Sequence, residues 1–125
     1  MTVFDNAPAP LGEYYRILTA GIDAYADGEE LLPILDAKLD FEGPIAGRLA
    51  GAARFLVGVR GFIANVKSIS PIHLVADSGH AATLYDAELP GGTVRFSEFF
   101  VIQDGSIREL RIQYDPADYT AKGGR

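Results

Sequence analysis

The stretch "VRFSEFFVIQDGSIRELRIQYDP", residues 94–116, decides the fold. Val94, Phe96, Phe100 and Ile102 alternate, the period of a strand with one buried face, and Glu98 sits at the centre of that face. Asp104-Gly105 then supplies a two-residue hairpin loop. The returning strand repeats the alternation. Phe96, Glu98, Phe100, Leu110, Ile112 and Tyr114 are therefore expected to point inward. Arg95, Ser97, Arg108, Glu109, Arg111 and Gln113 mostly belong outside. An acid at the middle of an apolar face implies a pocket.

Working backward, "ISPIHLVAD" and "HAATLYDAEL" flank Ser78-Gly79, and Pro90-Gly91-Gly92 makes the next reversal. The second half of the chain thus reads as a four-strand antiparallel meander. Pro71 must lie at an edge, a bulge or a strand start, because it cannot donate to the ladder. On the second of these strands, Ala81, Thr83, Tyr85, Ala87 and Leu89 form the more apolar face, which turns Tyr85 inward.

The first half reads as helical. Leu11, Tyr15, Leu18, Ile22 and Tyr25 share one helix face. Asp27 is placed to cap a second, short helix, with Glu30 as its capping-box partner and Pro33 bending it. "AKLDFEGP" reads as a strand with Phe41 inward and Asp40 and Glu42 outward. Leu49, Ala52, Leu56, Val59, Ile63 and Val66 predict a third helix, weakened by its glycines. Residues 1–10 read as a flexible N-terminal arm and residues 119–125 as a flexible C-terminal tail.

At 125 residues the chain holds one domain, and hydrophobic residues at 48% are enough for a core. With no Cys, thiolate chemistry and disulfides are excluded. A net charge of −6 with scattered Lys and Arg argues against nucleic acid. No apolar run reaches the roughly 18 residues of a membrane helix, and no signal peptide is visible, so a cytoplasmic location without membrane association is expected. "GAARFLVGVRG" lacks the strand context of a dinucleotide fingerprint. His73 and His80 have no ligand spacing to another His, Asp or Glu. No metal and no cofactor are therefore expected.

The order helices, inserted strand, helix, meander, with "LPILDAKLDFEGPIAG" (32–47) and the closing "DGSIRELRIQYDP" (104–116), resembles the nuclear transport factor two-like fold, in its SnoaL-like and ketosteroid-isomerase-like branch. The resemblance covers residues 11–118. It implies an α+β domain in which a cone-shaped, curved antiparallel sheet wraps three N-terminal helices around an apolar cavity. It also implies a homodimer through the outer sheet face, where Val75, Ala82, Leu84, Phe99 and Val101 lie.

The resemblance carries over only one catalytic position. The isomerases' general base, a carboxylate before the Pro of the first strand, falls on Gly43. Their helix-one tyrosine falls near Thr19, one turn from Tyr15. Their acidic oxyanion donor aligns with Glu98. The last-strand carboxylate of the epoxide-hydrolase-like members falls on Ile112, and their Arg-x-Asp is absent. Dehydratases of this fold use two His with Tyr, which draws notice to His73 and His80, although His73 reads as outward and His80 as beside a loop.

Glu98 is thus the catalytic candidate. Tyr15, Phe41, Tyr85, Phe96, Phe100, Leu110, Ile112 and Tyr114 are candidate ligand-binding residues. A lone carboxylate among apolar groups has a raised pKa and can act as a hydrogen-bond donor or proton carrier. The alternative is an acid satisfied by Tyr114, Tyr85 or a backbone group, with no ligand role. Three readings stand: a binder of a small apolar molecule; an acid–base isomerase, cyclase or dehydratase acting on a polyketide-, steroid- or terpenoid-like substrate; and a structural dimer that fills its cavity with its own aromatics.

Overall fold

The structure is a computed structural model that describes residues 7–125. It opens with α1 (Ala9–Leu18), entered through Pro8 with Pro10 in its first turn, where a missing amide hydrogen costs nothing. Leu11, Tyr14, Tyr15 and Leu18 occupy its buried stripe. The expected arm therefore ends at Pro8, and its residues 1–6 lie outside the described part.

A four-residue helix, α2 (Ile22–Tyr25), follows. The expected second helix does not form. Asp27 has φ +58°, in the left-handed region, so it ends a helix instead of capping one. Single 3₁₀ turns stand at Ala26–Gly28 and Leu32–Ile34. The two acids of the expected capping box pair elsewhere: Glu30 with Arg16 at 2.6 Å, and Asp27 with Arg60. Gly28, at φ +91°, lies beneath Leu56, where an added Cβ would come within 2.7 Å of Cδ2.

The strand β1 (Leu35–Gly43) turns into β2 (Gly47–Ala50), so Leu49 belongs to a strand opposite Phe41 and not to the third helix. That helix begins after Gly51 and is broken at Val59 into α3 (Ala52–Gly58) and α4 (Arg60–Asn65). The meander follows as β3 (Ser68–Ala76), β4 (His80–Leu89), β5 (Gly92–Gln103) and β6 (Ser106–Gln113). Asp104 and Gly105 both take positive φ (54° and 77°), the backbone that a two-residue hairpin loop requires.

The strands form one open six-stranded sheet in the order β2-β1-β6-β5-β4-β3. The sheet is mixed and not wholly antiparallel. β1 runs parallel to β6, with Phe41 beside Leu110, because the helices and the meander between them form a long crossover. Irregularities in register interrupt the ladder between Leu35 and Asp40, between Pro71 and His73, and between Val101 and Ile102. Bulges of this kind bend strands and curve the sheet, and Pro71 sits at one of them on the edge strand. The concave face buries alternate residues of β4 and β5, from Ala81 to Leu89 and from Val94 to Phe100. The helix α1 meets it through Tyr15 on Thr83 and Glu98, α4 through Phe62 on Phe96, and α3 packs on the β1 end through Phe55 on Phe41. Among the described residues no helix is long and apolar enough to cross a membrane.

The end of the chain departs most from expectation. Residues of the expected loose tail belong to α5 (Pro116–Ala121), capped by Asp115, whose carboxylate accepts from the amides of Ala117 and Asp118. Tyr119 is 3% exposed and meets the rings of Phe96 and Tyr114. Lys122 ties the segment to the β4–β5 turn, accepting from the Gly91 amide at 2.9 Å and donating to the Thr93 carbonyl at 2.7 Å. Tyr119→Ala is expected to lower the unfolding free energy by about 3 kcal/mol through lost packing. Asp115→Ala should lower it by about 1 kcal/mol through the lost cap, with Asp115→Ser close to wild type. Urea unfolding curves measure all three. A tail that contributes nothing would leave them superimposed.

Candidate functional site

Alternation along β5 carries Phe96, Glu98 and Phe100 to the concave face, and the register fixes their neighbours. Glu98 stands opposite Thr83 of β4 and Ile112 of β6. Phe96 stands opposite Tyr85, its ring stacked on the tyrosine at 5.3 Å. The helix α1 crosses above and lowers Tyr14 and Tyr15 onto the same spot.

Between helices and sheet lies a pocket of about 290 Å³. Phe41, Tyr85, Phe96, Glu98, Ile112 and Tyr114 all line it. Tyr15, Phe100 and Leu110 do not. Tyr15 comes down from α1 onto Glu98 and Thr83, beside the pocket and not in its wall. Phe100 lies against the rings of Tyr14 and Tyr15, and Leu110 is fully buried. The pocket floor is therefore the Glu98–Ile112 rung, one rung short of the Phe100–Leu110 pair on this face. Tyr14, Phe55, Phe62 and Tyr119 complete the wall. The exposed Ile45, Ala46, Gly58 and Arg125 stand at its rim.

Glu98 is 1% exposed. Tyr15 donates to its Oε1 at 2.5 Å, and Tyr14 approaches Oε2 at 3.4 Å, beyond the usual length of a hydroxyl bond. Tyr85 also bonds to the carboxyl. Tyr15 is in turn 2.6 Å from the Thr83 hydroxyl. Burial pushes the Glu98 carboxyl up to about 7, against the opposing pull of the bonds from Tyr15, Tyr85 and Tyr14. Burial, and secondly the charge on Glu98, holds the three phenols well above the ordinary tyrosine range. Near neutral pH this is a carboxyl poised between its two forms, surrounded by hydroxyls that keep their protons. Such a set can donate hydrogen bonds to an oxygen and can exchange one proton.

The other sequence candidates lie apart. Gly43 has no side chain to offer. Asp40 and Glu42 point outward, where Arg111 meets them at 3.0 and 3.5 Å. Thr19 is exposed and bonds to the backbone of its own helix. His73 and His80 are both exposed and neither lines the pocket. Among the described residues no group of three His, Asp or Glu is placed to hold a metal ion. Tyr14 was overlooked in the sequence although Leu11, Tyr14, Tyr15 and Leu18 keep helical spacing. Tyr119 lay in the segment read as tail.

No protein-family model and no curated protein matches this sequence. Solved structures do match it. A protein from Kribbella flavida DSM 17836 is 23% identical with a TM-score of 0.80, over 93% of this chain and 92% of that one. An NTF2-like protein of unknown function from Cytophaga hutchinsonii is 17% identical with a TM-score of 0.67, over 96% of both chains. A steroid delta-isomerase from Pseudomonas aeruginosa is 18% identical with a TM-score of 0.71, over 90% of this chain and 82% of its own. Across these likenesses, and with a curved open sheet enclosing helices on its concave face, the chain has the nuclear transport factor two-like fold, the fold of SnoaL-like and ketosteroid-isomerase-like proteins.

Proposed function

We propose that this chain binds a small, mostly apolar molecule carrying a carbonyl or hydroxyl oxygen, and that Glu98 and Tyr14 hold that oxygen. One observation carries the reading: a fully buried carboxyl forms part of the wall of an otherwise aromatic and aliphatic pocket. Removing a carboxylate from water is costly, and a site with no use for the acid would be more stable with an apolar residue. The pocket is close to the lower end of ordinary ligand sites and has the volume of roughly ten waters, which suits a molecule of one or two rings. Tyr14, whose bond to Oε2 is long, is the hydroxyl most easily turned toward a ligand.

A second reading makes the chain an acid–base enzyme of isomerase, cyclase or dehydratase type, acting on a polyketide-, steroid- or terpenoid-like substrate with Glu98 as acid or base. The carboxyl raised to about 7 favours it, because proton transfer is most efficient near the working pH. The steroid delta-isomerase likeness favours the same class. The absence of a second carboxylate at Gly43 and of His in the pocket ranks it behind binding. The third reading, a structural dimer without ligand, gains least, since the pocket is not filled by its own aromatics.

We also propose that a second copy of the chain covers the outer face of the sheet. Val75 and Phe99 are 66% and 50% exposed there. Val75 pairs with Ala82 and Ala82 with Phe99, so the three form one row. An exposed apolar row on an acidic chain is best explained by a partner with the same surface. Light scattering at micromolar concentration should give a dimer, and Phe99→Glu a folded monomer. A wild-type monomer would remove this proposal.

The proton on Glu98 predicts a pH signature. Its folded pKa of about 7 lies above the usual 4.5. The folded state thus holds the proton more tightly than the unfolded state. The stability this gives is fully present below about pH 4.5 and is lost as pH rises through about 7. That interval corresponds to about 3 kcal/mol. Between pH 4.5 and pH 8, Glu98→Gln should gain up to this amount relative to wild type, as read from paired urea unfolding curves. Parallel pH profiles would mean that Glu98 does not take up a proton on folding.

Ligand binding tests the oxygen directly. The two-ring ketone α-tetralone should raise the melting temperature more than the hydrocarbon tetralin, which has a CH2 in place of the carbonyl. Ketone affinity should fall by about tenfold per pH unit above the Glu98 pKa, since the charged carboxylate cannot donate. Glu98→Gln should abolish that pH dependence. Equal affinity for both compounds would overturn the reading.

A further inference from the structure

Among the described residues four tyrosines line the pocket, and three of their hydroxyls are engaged. Tyr14 and Tyr85 turn to Glu98, and Tyr119 donates to the Arg125 carbonyl at 3.1 Å. The fourth, Tyr114, makes ring contacts, 4.7 Å from Phe96 and 5.0 Å from Tyr119. Among the described residues nothing meets its hydroxyl. No sealed side-chain oxygen or nitrogen of the described residues lacks a partner. The Tyr114 hydroxyl therefore opens onto accessible space, and the space this residue lines is the pocket. Burial, and secondly Tyr119 beside it, pushes this phenol up to about 12, so it keeps its proton and can donate.

The register sets this residue apart from the acid. Glu98 pairs with Ile112 and Ser97 with Gln113, so Tyr114 stands two residues, about 7 Å, further along the same face. It lies toward the mouth. β1 runs parallel to β6 with Glu42 beside Arg111, so the chain leaving β1 carries Ile45 and Ala46 to the rim on the Tyr114 side. The pocket thus has one polar point at its floor, Glu98 with Tyr14, and another toward its mouth. We infer that Tyr114 is a second recognition point, and that the ligand is a flat molecule of one or two rings with an oxygen at each end, a hydroxyketone or a dione. The outer oxygen accepts from the Tyr114 phenol while the inner one meets Glu98. This rests on the reading of Glu98 as the holder of the first oxygen, but the Tyr114 contact is measured separately.

The compound 6-hydroxy-α-tetralone carries its two oxygens on opposite sides of the aromatic ring, and 6-methyl-α-tetralone replaces the outer one by a methyl of similar size. Tyr114→Phe keeps the ring contacts and removes the hydroxyl alone. Affinities are measured by calorimetry at pH 5, where the ligand phenol is neutral. The preference for the hydroxy over the methyl compound should fall about five-fold from wild type to Tyr114→Phe, the size of one ordinary hydrogen bond. Affinity for the methyl compound should not change. Urea unfolding curves of the two unliganded proteins should superimpose, since the hydroxyl holds nothing within the fold. An equal preference in both proteins would overturn the inference. So would a less stable unliganded mutant, which would place the hydroxyl in a bond inside the protein. If α-tetralone outbinds tetralin while the preference is unchanged by Tyr114→Phe, Tyr114 fails and the Glu98 reading stands. If α-tetralone gains nothing over tetralin, 6-hydroxytetralin and 6-methyltetralin are compared in the same way. A preference that falls in Tyr114→Phe then upholds Tyr114 and sinks the Glu98 reading alone. No binding by any of these compounds would overturn both.

Discussion

Two hydroxyls of one helix closing on one carboxyl of the sheet govern the geometry of this molecule. Tyr14 and Tyr15 are neighbours in sequence, yet both reach Glu98, because adjacent helical positions diverge by about 100° and the acid lies between their directions. The bond from Tyr15 sets how far along the sheet α1 can slide. With α1 fixed there, Phe100 is covered and the Glu98–Ile112 rung is left open. The pocket is the remainder of a helix that stops short, and its polar end is the point where that helix is fastened.

The rest of the enclosure is aromatic. Phe96 touches Tyr85 of β4, Phe62 of α4, Tyr119 of α5 and Tyr114 of the link between β6 and α5. Rings of this size supply much buried surface with few rotamers, so a wall made of them is stiff without being closely filled. The segment after β6 matters for the same reason. By returning across the sheet to place Tyr119 on Phe96, α5 converts an open groove into a pocket.

Much of this could be read in the chain, and the failures share a cause. The inward face of β5 and β6 followed from a period of two, and the Asp104-Gly105 turn from its own chemistry. Glu98 stood out because it broke an otherwise apolar alternation. Alternation gives the face of a strand but not the depth of a residue in the core, so Phe100 and Leu110 are expected in the pocket, yet Phe100 lies beneath Tyr14 and Tyr15 of α1 and Leu110 is fully buried beside it. The run from Leu49 to Val66 keeps helical spacing even though its start is β-strand, because four residues are too few to display a period of their own. Neither the parallel pairing of β1 with β6 nor the docking of α5 is written locally. Both depend on partners about seventy and about twenty residues away, Leu110 beside Phe41 and Phe96 beneath Tyr119.

The sheet order also bears on how the chain reaches this state. The strands β3 to β6 pair with their sequence neighbours across short turns, whereas Phe41 must find Leu110 and Tyr15 must find Glu98 across 83 residues. Closing long loops costs entropy before the contact repays it. The local meander is therefore favoured early, and β1 and α1 dock against it afterward. While the meander stands alone, the concave face is open and the Glu98 carboxyl is still hydrated, in proton exchange with bulk water. Its dehydration coincides with the arrival of α1. The energetic burden of the acid thus falls on the last long-range contacts, and solution pH acts on the closing step of assembly more than on the formation of the sheet.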